Sequence, residues 1–293
     1  MGLGFRLLHA TFVAEVTGVE LRSVYDEPTL ASLRDGMDRY GVLVFHDQPF
    51  TDAEQLAFAQ RLDGQLHTRQ GARTIKPSRF GNEALSDISN IDENGDIMDP
   101  NDRRRAYNLG NRLWHTDASF VEPGGRFSLL SARDIPPVPN DTEFADTRAA
   151  YDALPEETKA LIAGLQARHS IAHSRETLGF EFSSSEAEQL KGAIHPLVRT
   201  NPNTGPKSLY VASHSSCIID WPVPEGRLLL RELMEHATQP HFVYRYAWRD
   251  GDLVIWDNRA TMHRATRFDD TKYRRELRRV TTLDLPHQAA VPA

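Results

Sequence analysis

The run Leu113-Trp114-His115-Thr116-Asp117-Ala118-Ser119-Phe120 sets a histidine and a carboxylate two positions apart among residues suited to a buried strand. A buried carboxylate is costly unless something pairs with it, so this run constrains the fold more than any other. Side chains at i and i+2 of a strand share a face. An extended 115–117 therefore aims imidazole and carboxylate at one point, where a divalent metal would compensate the charge and fix the ring. Two ligands are too few for a stable site. The best third candidate is His263 in "WDNRATMHRA", just after the strand-like "DLVIWDN". His-x-Asp followed by a distant His is the order of the facial triad that holds non-haem iron(II). The pair alone also fits a surface coincidence or a neutral histidine bonded to a carboxylate. A second pair, His169 and His173 in "HSIAH", has the i, i+4 spacing of helical zinc ligands but lacks the glutamate of H-E-x-x-H. It reads as surface histidines at a helix end.

The surrounding text is strand-rich. "VLVF" (42–45), "FVYRYAW" (242–248), "DLVIWDN" (252–258) and "RRELRRVTTL" (274–283) read as strands, and 111–148 is strand-like between "EPGG" and "IPPVPND". Leu30, Leu33, Met37 and Tyr40 recur at helical spacing before Gly41, and Thr51 with Glu54 forms a capping box for a second helix. Further helices are expected over 152–168 (Leu154, Leu161 and Leu165 inward), after a Ser185/Glu188 cap, and over 225–237. Residues 64–110 are polar and aperiodic, which predicts a long loop or lid. No repeat, low-complexity segment or linker divides the chain. One domain is expected over 1–293, mainly β with helical insertions and an N-terminal helical flank.

In "YRRELRRVTTL", a strand puts Arg275, Leu277 and Arg279 on one face and Arg274, Glu276 and Arg278 on the other. The second set reads as a solvated face with a cross-charge pattern. The first does not, because solvation gives no reason for two arginines beside an inward leucine. Guanidinium forks grip carboxylates, so the two arginines could grip two different ones; the alternative is an arginine-rich edge strand.

Composition narrows the partners. A net charge of −7 argues against a general nucleic-acid binder, though not against a local basic pocket. No apolar run is long enough to span a membrane, "MGLGFRLLHA" does not read as a signal peptide, and Arg6 breaks the myristoylation pattern. The single cysteine, Cys217, reads as a small filler residue; it excludes an intramolecular disulfide and suits a reducing cytoplasm. A cytoplasmic protein with no membrane or nucleic-acid partner is expected.

The order "WHTD … DTEF … WDNRATMHRA … RRELRRVTTL" resembles the iron(II)/2-oxoglutarate dioxygenases of the taurine dioxygenase group. Within that group it is most similar to the branch that oxidises aryloxyacetates such as 2,4-dichlorophenoxyacetate. The likeness extends to stretches outside the motif, among them "PSRF", "DISN", "RAAYDALP", "PLVRT" and "EGRLLL". It implies a double-stranded β-helix, or jelly roll, in which two four-stranded sheets form an open barrel with the metal in its mouth. It implies iron(II) on His115, Asp117 and His263, the distal carboxylate of 2-oxoglutarate on Thr142 and Arg275, and the substrate anion on Arg279, with His214 of "VASHSS" as a further substrate-binding residue. No catalytic side chain is expected beyond the metal site. With dioxygen, hydroxylation beside the ether oxygen would give a hemiacetal that collapses to a phenol and glyoxylate, with succinate and carbon dioxide from the cosubstrate. The expected partner is a small anionic aromatic substrate, and a homo-oligomer is expected. The same chemistry on a sulfonate, alkyl sulfate or other small carboxylate is the alternative, and a non-catalytic jelly-roll metal-binding or sensor protein is a minor one. The loop "FDDTKY" is one residue longer than in that branch, and 64–110 differs from it. Both departures bear on substrate choice.

Overall fold

The structure is a computed structural model, and it describes residues 2–68 and 79–285. Its centre is a seven-stranded sheet in the order Gly4–Leu7, Ala14–Thr17, Val42–Phe45, Leu253–Asp257, Gly125–Asp134, Glu276–Leu283, Leu85–Ser89. All neighbours are antiparallel except Ala14–Thr17 and Val42–Phe45. A second sheet runs Val243–Tyr246, Thr142–Asp146, Thr261–Ala265. His115 adds one isolated bridge to it by pairing with His263. The arrangement is the jelly-roll type, without barrel closure, and with seven and three strands where four and four were expected.

Period-two alternation decides which residues enter the interior. Leu43, Phe45, Leu253, Ile255 and Val280 face outward, onto the helices Glu27–Tyr40 and Asp52–Asp63. Their neighbours Val42, Val44, Val254, Trp256 and Leu277 face inward, against Phe144 and Tyr246 of the second sheet. The second sheet turns Ala145 and Met262 to its own outer layer, which includes helix Val223–Ala237. Sheets covered on both faces explain the unbroken apolar runs "VLVF" and "LVIW". His263, one step from Met262, necessarily points into the space between the sheets.

Several expected elements differ. The N-terminal flank begins with two strands, Gly4–Leu7 and Ala14–Thr17, that pair into the main sheet. The helix expected over 152–168 is two short helices, Thr147–Asp152 and Glu156–Ile162, followed by the strand Gln166–His169. Pro155 separates the helices, because its ring disfavours helical backbone at residue 154 and removes a donor. Leu161, expected inward, is 50% exposed. The Ser185/Glu188 cap is instead Ser183/Glu186, opening Ser184–Gln189. Three successive serines allow either register, and Arg103 holds both oxygens of Glu186 at 2.8 Å in the one adopted.

The stretch 64–110 is not one loop. Leu66 bridges Thr282, Leu85–Ser89 is an edge strand of the main sheet, and Arg103–Asn108 is a helix. Residues 69–78 lie outside the described residues. "LWHTDASF" is not a full strand either. After the bridge at His115 the chain turns, with Ala118 at φ 55°. No helix among the described residues is long and apolar enough to cross a membrane.

Candidate metal centre

His115, Asp117 and His263 are all buried, and one ligand atom of each lies within 4.8 Å of the others. His115 Nε2 is 3.8 Å from Asp117 Oδ1, and His263 Nε2 is 3.6 Å from Asp117 Oδ2. The reciprocal backbone bonds His115 N to His263 O (3.0 Å) and His263 N to His115 O (2.8 Å) hold the two histidines side by side.

The surroundings set each ligand's protonation. His115 Nδ1 lies 2.7 Å from Leu113 O, so it carries the hydrogen and donates it, leaving the Nε2 lone pair free. Burial pulls the His115 imidazole down to about 4 and holds His263 well below its ordinary value. Burial would raise the Asp117 carboxyl, but Arg279, His263, His115 and the Ser128 hydroxyl together hold it at about 2. Two neutral imidazoles and an ionised carboxylate converging on one point make a donor set that fits a divalent metal.

Asn258, which the sequence reading missed, organises this set. It is fully buried, and its Oδ1 accepts from Asp117 N (2.9 Å) and Trp256 Nε1 (3.0 Å). Its Nδ2 donates to Ser128 Oγ (2.9 Å), which in turn donates to Asp117 Oδ2 (2.8 Å). Thus the 115–117 segment is held by a side chain where a strand would use a ladder. The visible signal was an asparagine closing the strand-like "DLVIWDN".

Arg275 lies just before Glu276–Leu283 and is buried. Its Nε donates to Asn140 Oδ1 (2.9 Å), and it has no carboxylate partner among the described residues. Burial lowers it to about 10. Thr142 Oγ1 accepts from Trp248 Nε1 (2.9 Å), which leaves its own hydrogen available. One cavity touches His115, Thr142, His263, Arg275 and Arg279. A second, with about 780 Å³ of space partly open to solvent, touches His115, Asp117, His214 and Arg279. Arg279 donates to Asp117 Oδ1. The ring of His214 stands edge-on to Phe120 at 5.3 Å and to His115 at 6.0 Å. All seven residues singled out from the sequence therefore line two cavities that meet at the metal cluster.

Two expectations fail here. His169 is not a surface histidine: it is fully buried, stacked on Tyr210 at 5.3 Å, and burial lowers it to about 3. It sits on the strand Gln166–His169, so the helical pairing with His173 does not arise. The face of Arg274, Glu276 and Arg278 is not simply solvated. Glu276 is buried and accepts from Arg79, Arg274 and Arg278.

A jelly roll holding two histidines and one carboxylate between its sheets defines a class, the non-haem metal oxygenases. The family follows from comparison: residues 4–281 match the "Taurine catabolism dioxygenase TauD, TfdA family", and the chain belongs to it. The chain is 45% identical to an alpha-ketoglutarate-dependent 2,4-dichlorophenoxyacetate dioxygenase of Burkholderia sp. (strain RASC), over 97% of this chain and 95% of that one. It is 37% identical to an (S)-phenoxypropionate/alpha-ketoglutarate-dioxygenase of Sphingobium herbicidovorans, over 91% and 90%. The crystal structure of AAD-2 in complex with Mn(II) and N-oxalylglycine superimposes with a TM-score of 0.92 at 45% identity, covering 97% of this chain and 98% of that one. The chain is an oxidoreductase of the dioxygenase class.

Proposed function

We propose that this chain is an iron(II)- and 2-oxoglutarate-dependent dioxygenase that hydroxylates the carbon beside the ether oxygen of an aryloxyacetate. The products are a phenol, glyoxylate, succinate and carbon dioxide. The observation that carries the reading is the His115–Asp117–His263 cluster sharing a cavity with Arg275, a buried guanidinium with no carboxylate partner among the described residues. N-oxalylglycine differs from 2-oxoglutarate by an NH in place of the CH₂ next to the oxo group, so the AAD-2 complex supports a cosubstrate of that shape beside a divalent metal. The names of the relatives support an aryloxy acid as substrate.

In this reading His115, Asp117 and His263 hold iron(II), which supplies the activation of dioxygen when bound together with 2-oxoglutarate. Arg275 and the free Thr142 hydrogen bind the distal carboxylate of 2-oxoglutarate. Arg279 and His214 meet the acid group of the substrate, setting its methylene toward the metal. The chain's task is placement and exclusion of water. The same reading takes the enzyme as one catalytic domain, working in the cytoplasm as a homo-oligomer, a state that sedimentation velocity checks.

The test is succinate formation with iron(II), 2-oxoglutarate and a panel of aryloxyacetates, alkyl sulfates and taurine. Release of phenol and glyoxylate from aryloxyacetates in step with succinate is expected. Succinate coupled only to a sulfate or sulfonate would replace the proposed substrate, and none above background with any acid would reject the activity.

A further inference from the structure

Four arginines are buried among the described residues: Arg126, Arg175, Arg259 and Arg275. Two of them are compensated in the ordinary way, Arg126 by Asp63 at 2.8 Å and Arg259 by Asp257 at 2.6 Å. Arg175 and Arg275 have no carboxylate partner among the described residues, and both line cavities that meet at the metal cluster. A buried charge is retained only where something compensates it. For Arg275 that role falls to the cosubstrate's distal carboxylate. Nothing in the proposed function employs Arg175.

The fold makes room for Arg175 deliberately. A Cβ on Gly110 would lie 2.4 Å from its Nε and Cζ, so only glycine admits the guanidinium there. The guanidinium lies over the Tyr107 ring at 4.8 Å, and its Nη1 donates to Ser174 Oγ (3.0 Å). Nη2 makes one long bond, 3.4 Å, to Asn111 Oδ1, and the buried Nε has no acceptor. Burial lowers the guanidinium from its ordinary value, and the nearby Arg279 lowers it further, against opposing pulls from Tyr107 and Asp117.

The same contacts fix His214. Ser174 Oγ donates its one hydrogen to Ile171 O (2.9 Å). His214 Nδ1 lies 3.0 Å from the same oxygen, so Arg175 and His214 share Ser174 as a partner. Burial holds the His214 imidazole well below its ordinary value, so the ring can hydrogen-bond an acid group but brings no positive charge to it. The positive charge in this part of the cavity must come from arginine.

We infer that Arg175 is a second anion-recognition residue of the substrate cavity, acting with Arg279 to bind the acid group of the substrate. The inference rests on the reading of this cavity as the substrate site. It also makes the selection for acids a property of two guanidiniums.

The test uses the full chain loaded with Mn(II) and N-oxalylglycine, so that binding is read without turnover. Calorimetry compares an aryloxyacetate with its uncharged primary amide for the parent, Arg175→Met and Gly110→Ala. The methionine keeps the stem and removes the charge. The alanine methyl displaces the guanidinium without removing it, so the inference does not depend on one variant folding. Arg175→Met should weaken the acid by roughly 10- to 100-fold, the span of a hydrogen bond to a charged group. Gly110→Ala should weaken it by a smaller factor in the same direction. The amide should change less than threefold in both. Equal weakening of acid and amide, or an acid-over-amide ratio at the parent's value in a folded variant, overturns the inference and leaves Arg175 a packing residue. The parent is first compared across aryloxyacetates, alkyl sulfates and taurine. If it prefers a sulfate or sulfonate, the proposed substrate fails while Arg175 is judged by the same ratio for that acid and a neutral analogue. If it prefers no anion over its neutral analogue, the inference fails.

Discussion

Asn258→Ala removes the group that anchors the 115–117 segment, and its cost can be worked from the bonds it breaks. Asn258 Oδ1 accepts from Asp117 N and Trp256 Nε1, and both donors are left buried without a partner. The Nδ2 bonds matter less. Arg126 O still receives Asn258 N at 2.8 Å, and Ser128 Oγ still has Thr281 Oγ1 at 3.0 Å. Each orphaned buried donor costs about 1–3 kcal/mol, so the loss should be about 2–6 kcal/mol, at the low end if a water enters. Urea unfolding of the metal-free protein measures it, with the slope m unchanged. Asp117 also loses the hold that orients it. Mn(II) affinity should therefore fall by about 10- to 100-fold, the usual effect of removing a group that orients a ligand. A variant within about 0.5 kcal/mol of the parent, the scatter of ordinary surface changes, would refute the claim that Asn258 replaces a strand ladder here.

Other consequences are as direct. His115→Ala, Asp117→Ala and His263→Ala should each abolish turnover and metal retention while the chain stays folded by circular dichroism; near-normal activity with added iron(II) would unseat that ligand. Arg275→Ala should raise the 2-oxoglutarate requirement by roughly 10- to 100-fold, and an unchanged requirement would return Arg275 to a structural role. Arg279→Leu should abolish uptake of the acidic substrate while 2-oxoglutarate binding, followed anaerobically by the absorption of its iron chelate, persists; loss of the chelate as well would exchange the two arginines. Acid should destabilise the metal-free fold. Burial holds His115 down to about 4, His169 to about 3, and His214 and His263 well below the ordinary value. The unfolded chain thus takes up protons that the folded chain refuses as pH falls below about 6.5. Asp63, pushed up to about 6 by burial, works in the opposite sense, one group against four. Urea midpoints at pH 7, 5.5 and 4.5 should fall in that order, and a midpoint that holds or rises would contradict the assignment of neutral buried imidazoles.

What the sequence disclosed tracks how local each cause is. The helix ending at Gly41 and the Thr51–Glu54 box are set by residues within a few positions, and both appear as expected. The strands "VLVF" and "DLVIWDN" were legible because both faces are covered, which leaves an unbroken apolar run. Gly4–Leu7 and Ala14–Thr17 were not, since four mixed residues carry too little alternation to stand out. Leu85–Ser89 was hidden for a different reason. Its polar Asp87 is compensated by Arg79 and by the Arg278–Glu276 cluster, partners supplied from elsewhere in the chain. The same cluster buries the arginine-strand face that was expected to meet solvent.

The site divides along the same line. A metal ligand announces itself by residue type and spacing, so His115, Asp117 and His263 could be found in the text. The groups that make them work are defined by relations that spacing does not encode. Asn258 serves Asp117 from 141 positions away, and in the sequence it is one asparagine after a strand. Arg175 is harder still, because what marks it is the carboxylate it lacks. Lys and Arg together number 34, and nothing in their order separates a solvated arginine from one buried against Tyr107 and Gly110. Only burial and pairing taken together make that separation. Applied to the four buried arginines, the criterion leaves two, and both open onto the cavities at the metal cluster. One has a carboxylate assigned to it in the proposed reaction, so the uncompensated charge of the other is the strongest constraint on the substrate that the fold contains.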